Sequence, residues 1–377
     1  MSKWKIPLYK IHTNSDDVRL VTKVVHRNMD WAIGPEIEKF EKNLAKYVGT
    51  KFCLAFNSGT SALHASLLSI DLKSNQEVLV PSFTFISTAN SVLMAGGIPH
   101  FIDIEKNRLG LDPNKIENSI SNKVKAMIPV HYGGLPCEIE ELRQIANRKK
   151  IYLIEDAAES LGSKINKKMT GTLGDLSILS FAPNKIITTG EGGAVLTNSK
   201  KLFEKLKLIR SHGRLENSNY FKSSLKPKYV SLGYNWRMPS MIAALGVSQL
   251  KRIEKLIKMR QKNAHFLSSK LKKFSGITLP SEPKDSKHVF QLYSILLSNS
   301  NKRNSLMNYL TKKGIMSKVY FEPINKTDFY KKIKFKQSNL QNTDDISGRI
   351  LSLPMYPSLS QNELQYMVNS ISEFFKN

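Results

Sequence analysis

The chain has 377 residues, of which 41% are hydrophobic, and 57 Lys and Arg against 31 Asp and Glu leave a formal net charge of +26. That length suits one large core with a smaller second one. The longest apolar runs, such as Ile151–Ile154 and Val78–Pro81, are far too short to cross a bilayer. The opening Met1-Ser-Lys-Trp-Lys-Ile-Pro lacks the apolar stretch of a signal peptide, so a cytoplasmic protein with no membrane partner is expected. Cys53 and Cys137, the two cysteines, have no metal-type spacing and are expected as reduced thiols. The densest basic groups, Lys201–Lys207 and Lys251–Lys258, alternate with Leu and Ile at helical spacing. They read as solvated faces of amphipathic helices, and no nucleic-acid partner is expected.

In chain order, Ile37, Phe40, Leu44 and Val48 predict a helix, and Phe52–Phe56 a strand. Ser58-Gly59-Thr60 then opens a run of small and apolar residues, Ala62 to Leu68, that suits a buried helix. Glu77–Pro81 predicts a strand, Thr84–Ala95 a helix, Ile98–Ile104 and Lys125–Val130 strands, and Glu138–Arg148 a helix. Ile151–Glu155 is continuously apolar up to its end, as in a sheet covered on both faces. Leu176–Phe181 and Gly193–Thr197 are further strands. This alternation predicts an α/β fold with a largely parallel sheet flanked by helices. Residues 199–212 read as a helix, 214–235 as a long polar loop, and Pro239 to Leu271 as one long helical stretch. A smaller α+β unit follows, with a strand over Val289–Leu297 and helices near 301–313 and 361–375. The expected division is a large domain over 1–250, then the connecting helix and small domain over 251–377.

Four segments carry possible chemistry. Asn57-Ser58-Gly59-Thr60-Ser61-Ala62 stands at a strand-to-helix junction, where free amides suit a phosphate and an ordinary N-cap turn fits at least as well. Asp156, in Ile154-Glu155-Asp156-Ala157-Ala158-Glu159-Ser160, ends a buried strand, where open α/β sheets place ligands; it also fits a helix N-cap. Ser180-Phe181-Ala182-Pro183-Asn184-Lys185 runs into Thr188-Thr189-Gly190-Glu191-Gly192-Gly193. A lysine there is either an ordinary surface lysine or an amine nucleophile able to form a Schiff base. Leu232-Gly233-Tyr234-Asn235-Trp236-Arg237-Met238-Pro239 alone is a loop leading into a helix.

Together these segments resemble the sugar aminotransferases of the DegT/DnrJ/EryC1/StrS group, which have the aspartate-aminotransferase-like fold type I and use pyridoxal 5′-phosphate (PLP). The resemblance runs from Gly34-Pro35-Glu36, through Val80-Pro81-Ser82-Phe83-Thr84-Phe85, to Leu351-Ser352-Leu353-Pro354-Met355-Tyr356, and Asn184-Lys185 with its Thr-Thr-Gly-Glu-Gly-Gly tail is its most specific match. It implies that Lys185 holds PLP and moves protons, and that Asp156 keeps the pyridine nitrogen protonated. It places Phe85 on the ring face, Glu159 beside the ring, and Gly59, Thr60 and Ser180 at the phosphate. Asn235 matches an asparagine that reaches the phosphate from a neighbouring subunit, which implies a homodimer with shared sites. Tyr320, Phe321 and Asn325 fall in the substrate-side loop, where a histidine commonly stands at the place of Asn325.

The implied reaction takes an amino group from L-glutamate, with pyridoxamine 5′-phosphate as the intermediate form of the cofactor, to a nucleotide-linked keto sugar. Glu159 and the Tyr-Phe-x-Pro-Ile loop resemble the perosamine-synthase branch, so C4 of a GDP-linked 4-keto-6-deoxyhexose is the expected acceptor, with UDP- or dTDP-linked sugars as alternatives. Members of the group that instead remove a sugar hydroxyl have His where this chain has Lys185. A PLP-binding sensor or DNA-binding regulator is the remaining alternative.

Overall fold

A computed structural model describes residues 4–215, 220–224 and 226–376; part of the predicted loop over 214–235 lies outside them. The first part of the chain forms, in order, α1 (Ser15–His26), α2 (Pro35–Val48), β1 (Phe52–Phe56), α3 (Gly59–Ser69), β2 (Glu77–Pro81), α4 (Ser87–Met94), β3 (Ile98–Ile102), α5 (Pro113–Ile116), β4 (Val124–Met127), α6 (Ile139–Lys149) and β5 (Tyr152–Asp156). Then come β6 (Lys164–Ile165), β7 (Lys168–Met169), β8 (Leu176–Ser180), β9 (Gly193–Thr197) and α7 (Lys200–Arg210). The remainder forms α8 (Ser240–Leu250), α9 (Ile253–Leu271), β10 (Ile277–Thr278), β11 (Ser286–Lys287), β12 (Tyr293–Leu297), α10 (Ser300–Lys312), β13 (Lys336–Gln337), α11 (Gln341–Arg349), β14 (Ile350–Leu353) and α12 (Gln361–Lys376).

Eight strands make the main sheet, in the order β1-β9-β8-β5-β4-β2-β3-β13. From β8 to β13 every pairing is parallel, and β9 runs antiparallel to both neighbours. Side chains alternate between the faces of a strand. Along β1, Leu54 and Phe56 enter one apolar core with Ala62, Leu63 and Ile178, while Cys53 and Ala55 enter another with Phe40, Leu179 and Val247. Both faces are therefore covered, which is why these strands read as unbroken apolar runs. Both cysteines are buried and free.

A third core gathers α9, α10 and α12 on the antiparallel sheet β10-β12-β14, and Ile6 from the N-terminal segment joins it. No helix among the described residues is long and apolar enough to cross a membrane.

The stretch from Pro239 to Leu271 is two helices rather than one. At the break, Arg252 leaves helical geometry and its guanidinium binds Asp17 and the carbonyl of His12, tying the junction to the start of α1. The strand expected over Val289–Leu297 begins only at Tyr293. Before it, Phe290 takes a left-handed φ of 50°, and the amides of Val289 and Leu292 bond Gly134 and Gly133 instead of a strand. Helix α1 and helix α11 were not anticipated: α11 has Ile346 as its one large apolar residue, whereas in α1 the spacing of Leu20, Val21 and Val24 was an available signal.

The end of β5 is locked by Glu155, which is fully buried. Its carboxylate accepts from the amides of Gly171 (2.8 Å), Leu173 (2.7 Å) and Gly174 (2.5 Å), from the Ser177 hydroxyl (3.0 Å), and from His131 Nε2 (3.0 Å). The Cys137 amide donates to His131 Nδ1 at 3.2 Å, which leaves Nε2 to carry the proton shared with Glu155. Burial works against the Glu155 charge, but His131 and the glycine amides more than offset it and hold the carboxyl below the usual glutamate range. A depressed carboxyl stabilises the fold above its unfolded pKa of about 4.3, and that contribution is lost as pH falls through the folded value. Glu155→Gln presents an amide to a nest of donors and is expected to cost about 3 kcal/mol at pH 7. Denaturant melts of both proteins should show that gap narrowing below about pH 4; a gap independent of pH would contradict this account.

Candidate active site

Parallel strands deliver their C-terminal ends to one edge of a sheet, and there a cavity of about 510 Å³ opens. Asp156 closes β5 and Ser180 closes the adjacent β8, with Asp156 in register with Ile178. Helix α3 points its N-terminus at the same space. Ser58 caps that helix by accepting from the Ser61 amide, while the first-turn amides of Gly59 and Thr60 have no intrahelical acceptor. The start of β9 presses close behind, because a side chain at Gly193 would lie 2.4 Å from the Ser58 carbonyl oxygen. The hydroxyls of Thr60 and Ser87 meet at 2.8 Å beside those amides. Amides, hydroxyls and a helix dipole together form a cradle for a phosphate.

Asp156 is 5% exposed. Its Oδ2 accepts from the Thr88 hydroxyl at 2.8 Å and its Oδ1 from the Ala158 amide at 3.2 Å. Thr88 spends its proton on Asp156, so Thr84 donates to Thr88 across 3.0 Å. Burial raises the Asp156 carboxyl above its ordinary range, and Thr88, Ala158 and Lys185 only partly oppose this. The carboxylate is thus under-solvated and faces a cavity, the environment that a protonated ring nitrogen would relieve. Lys185 projects into the same space from the turn after β8. Its Nζ donates to Glu159 Oε1 at 3.3 Å, and Glu159 Oε2 accepts from the Gly133 amide at 2.9 Å. Behind it, Gln291 Nε2 donates to the Asn184 carbonyl at 2.6 Å and braces the lysine turn.

Phe85 stands on the opposite wall with 57% of its surface exposed, and its ring centroid lies 6.2 Å from that of Phe321. Tyr320 and Lys318 complete that side. The residues therefore fit PLP: the α3 N-terminus and nearby hydroxyls for its phosphate, Asp156 for its ring nitrogen, Lys185 for its aldehyde and Phe85 for a ring face.

Of the residues expected from sequence, Gly59, Thr60, Phe85, Asp156, Glu159, Ser180, Lys185, Tyr320 and Phe321 line this one cavity. Asn325 does not; its side chain accepts from Ser82 and donates to Gln337. Asn235 is exposed, also lies off the cavity of its own chain, and pairs through its backbone with Ser211. Ser87, Thr88 and Lys318 were missed. Thr84 and Thr88 are four apart, one helical turn, and that spacing beside the Phe-Thr-Phe motif was the available signal for Thr88.

Comparison with known proteins places the chain in one family. The model described as the DegT/DnrJ/EryC1/StrS aminotransferase family matches residues 12–372. GDP-perosamine synthase of Escherichia coli O157:H7 is 32% identical, covering 98% of each chain. The UDP-4-amino-4,6-dideoxy-N-acetyl-beta-L-altrosamine transaminase of Campylobacter jejuni strain 81-176 is 34% identical over 96% of this chain and 95% of its own. Among solved structures, Helicobacter pylori PseC, an aminotransferase involved in the biosynthesis of pseudoaminic acid, superposes with a TM-score of 0.92 at 29% identity, covering 98% of this chain and 99% of that one. The fold expected from the sequence, that of PLP-dependent sugar aminotransferases, is the fold observed.

Proposed function

The chain belongs to the DegT/DnrJ/EryC1/StrS aminotransferase family, and from that premise we propose that it holds PLP at Lys185 and transfers an amino group from L-glutamate to C4 of a GDP-linked 4-keto-6-deoxyhexose. The observation that carries the reading is the convergence of Lys185, Asp156, Glu159 and the α3 N-terminus on one cavity at the sheet edge. When bound, PLP supplies an aldehyde that captures amines and a ring that takes up the electron pair of the reacting carbon. Every other task falls to the chain. Asp156, held by Thr88 and Ala158, keeps a proton on the ring nitrogen. The α3 amides with Thr60, Ser87 and Ser180 anchor the phosphate. Lys185 Nζ would hold the aldehyde at rest and, as a free amine, would carry the proton to and from the substrate carbon. Glu159 would orient that nitrogen, and Phe85 with Phe321 would keep water from the reacting face.

Glu159 and the Tyr320–Asn325 loop favour the perosamine-type acceptor, and the name of the Campylobacter relative also puts an amino group at C4. The test is to offer glutamate with GDP-, UDP- and dTDP-linked 3-keto and 4-keto sugars and identify the product by mass and NMR. Amination of the GDP-linked 4-keto sugar in preference to the others is expected; preference for another nucleotide or for C3 overturns that part of the proposal.

Borohydride should fix the cofactor to the peptide containing Lys185, and Lys185→Ala should cut turnover by about 1,000-fold or more. Attachment at another lysine would remove the assignment. Asp156→Asn keeps the shape and loses the charge, with an expected loss of about 100-fold in turnover. Glutamate alone should bleach the visible band of the bound cofactor. A protein that holds PLP yet stays unchanged with every amino donor favours a sensor.

We also propose a homodimer in which Asn235 reaches the partner's phosphate cradle. Its exposure and its place off its own cavity support this. Mixing Lys185→Ala chains with Asn235→Ala chains under subunit exchange should restore about one working site per mixed dimer. Exchange that is demonstrated but restores nothing would count against the shared site.

A further inference from the structure

Tyr132 is buried behind the cavity wall, and its hydroxyl donates to the Tyr320 carbonyl at 2.5 Å. A phenol has one proton, and that contact uses it. The 3.0 Å contact between Tyr132 and Ser294 therefore has Ser294 as donor. By the same count, the 2.8 Å contact between Ser294 and Ser352 has Ser352 as donor. The protons run one way, from β14 through β12 and Tyr132 to the segment that lines the cavity. Ser352 also exchanges backbone bonds with Lys318, at 3.1 Å and 2.8 Å. The Tyr132 ring packs on Phe83 (centroids 5.0 Å apart) and edge-on to Phe321 (6.1 Å). Burial pushes the phenol's titration far upward, so it remains a donor at every working pH.

We propose that Tyr132 is a positioning residue that latches the Lys318–Phe321 wall through the Tyr320 carbonyl and so sets affinity for the acceptor sugar, without touching it. This rests on the reading of that wall as the side where the sugar binds. The cradle, Asp156 and Lys185 belong to other elements, and the Gly133 amide beside Tyr132 holds Glu159 through the backbone whichever side chain stands at 132, so the latch acts chiefly on acceptor binding.

Tyr132→Phe keeps the ring and removes the proton. In the holoenzyme, hydrogen exchange of the peptide covering residues 318–322 should quicken about tenfold, the worth of one hydrogen bond. KM for the nucleotide-linked sugar should rise about tenfold with kcat within about twofold, and the glutamate half-reaction should stay within about twofold. Ser294→Ala, which spares the Tyr132–Tyr320 bond, should show a smaller shift in the same direction. Unchanged exchange overturns the latch, as does an unchanged KM or equal slowing of both half-reactions. If the wild-type protein accepts no nucleotide-linked keto sugar, the proposed function fails, and exchange of residues 318–322 alone decides the latch.

Discussion

The arrangement depends on two adjacent carboxylates at the end of β5, pointing to opposite faces of the sheet. Glu155 turns into the protein, where five donors replace the water it lost. Asp156 turns into the cavity, where two donors do not. Burial is nearly complete for both, yet Glu155 is held below the ordinary carboxylate range and Asp156 above it. The difference is one of hydrogen-bond supply, not depth. Glu155 draws the 171–174 turn, β8 and His131 onto the strand end, and the rigidity it creates fixes where Asp156 points. A carboxylate kept short of partners at a rigid position is poised for a cationic N–H, and the rest of the cavity is arranged around that position.

The phosphate cradle follows from the same edge. A strand that ends and a helix that begins leave amides without acceptors, and Gly193 lets β9 approach the Ser58 carbonyl without a side chain between them. Lys185 reaches the cavity from the next strand over, β8, which pairs with β5 in parallel register. Contributions that span more than a hundred residues of the chain, from Ser58 to Lys185, are thus brought together by strand order rather than by local sequence.

Much of this was legible in the sequence. Strand positions stood out because both faces of the sheet are covered, and Phe52–Phe56, Glu77–Pro81 and Gly193–Thr197 are placed where their apolar runs predicted. The basic stretches of α7 and α9 bury Leu202, Leu206, Leu256 and Ile257 and turn their lysines outward, as amphipathic spacing requires. What was not legible depends on pairings between distant segments. Arg252, at the break between α8 and α9, binds Asp17, and on either side of the bend at Phe290 the amides of Val289 and Leu292 bond the carbonyls of Gly134 and Gly133. Thr88 matters through Asp156, and Tyr132 through a carbonyl 188 residues away along the chain. Neither carries a motif of its own. Asn325 shows the converse: a motif position whose side chain is engaged by Ser82 and Gln337.

The two sides of the cavity differ in how they are built, and this bears on how such a site can change. The floor is made of strand ends and a helix start in the large sheet, each held by backbone geometry and by buried charge. A substitution at Glu155 there disturbs folding and the placement of Asp156 together. The opposite wall, Lys318 to Phe321, is a single segment tied to β14 by two backbone bonds and to Tyr132 by one hydroxyl. Side chains on that segment can be exchanged without touching Glu155, Asp156 or the cradle. Backbone anchoring through Ser352 and the Tyr320 carbonyl is indifferent to which side chains the segment carries. Under the proposed function, one floor with one set of proton-handling groups serves different acceptors by replacing the residues of a wall whose position is set from behind.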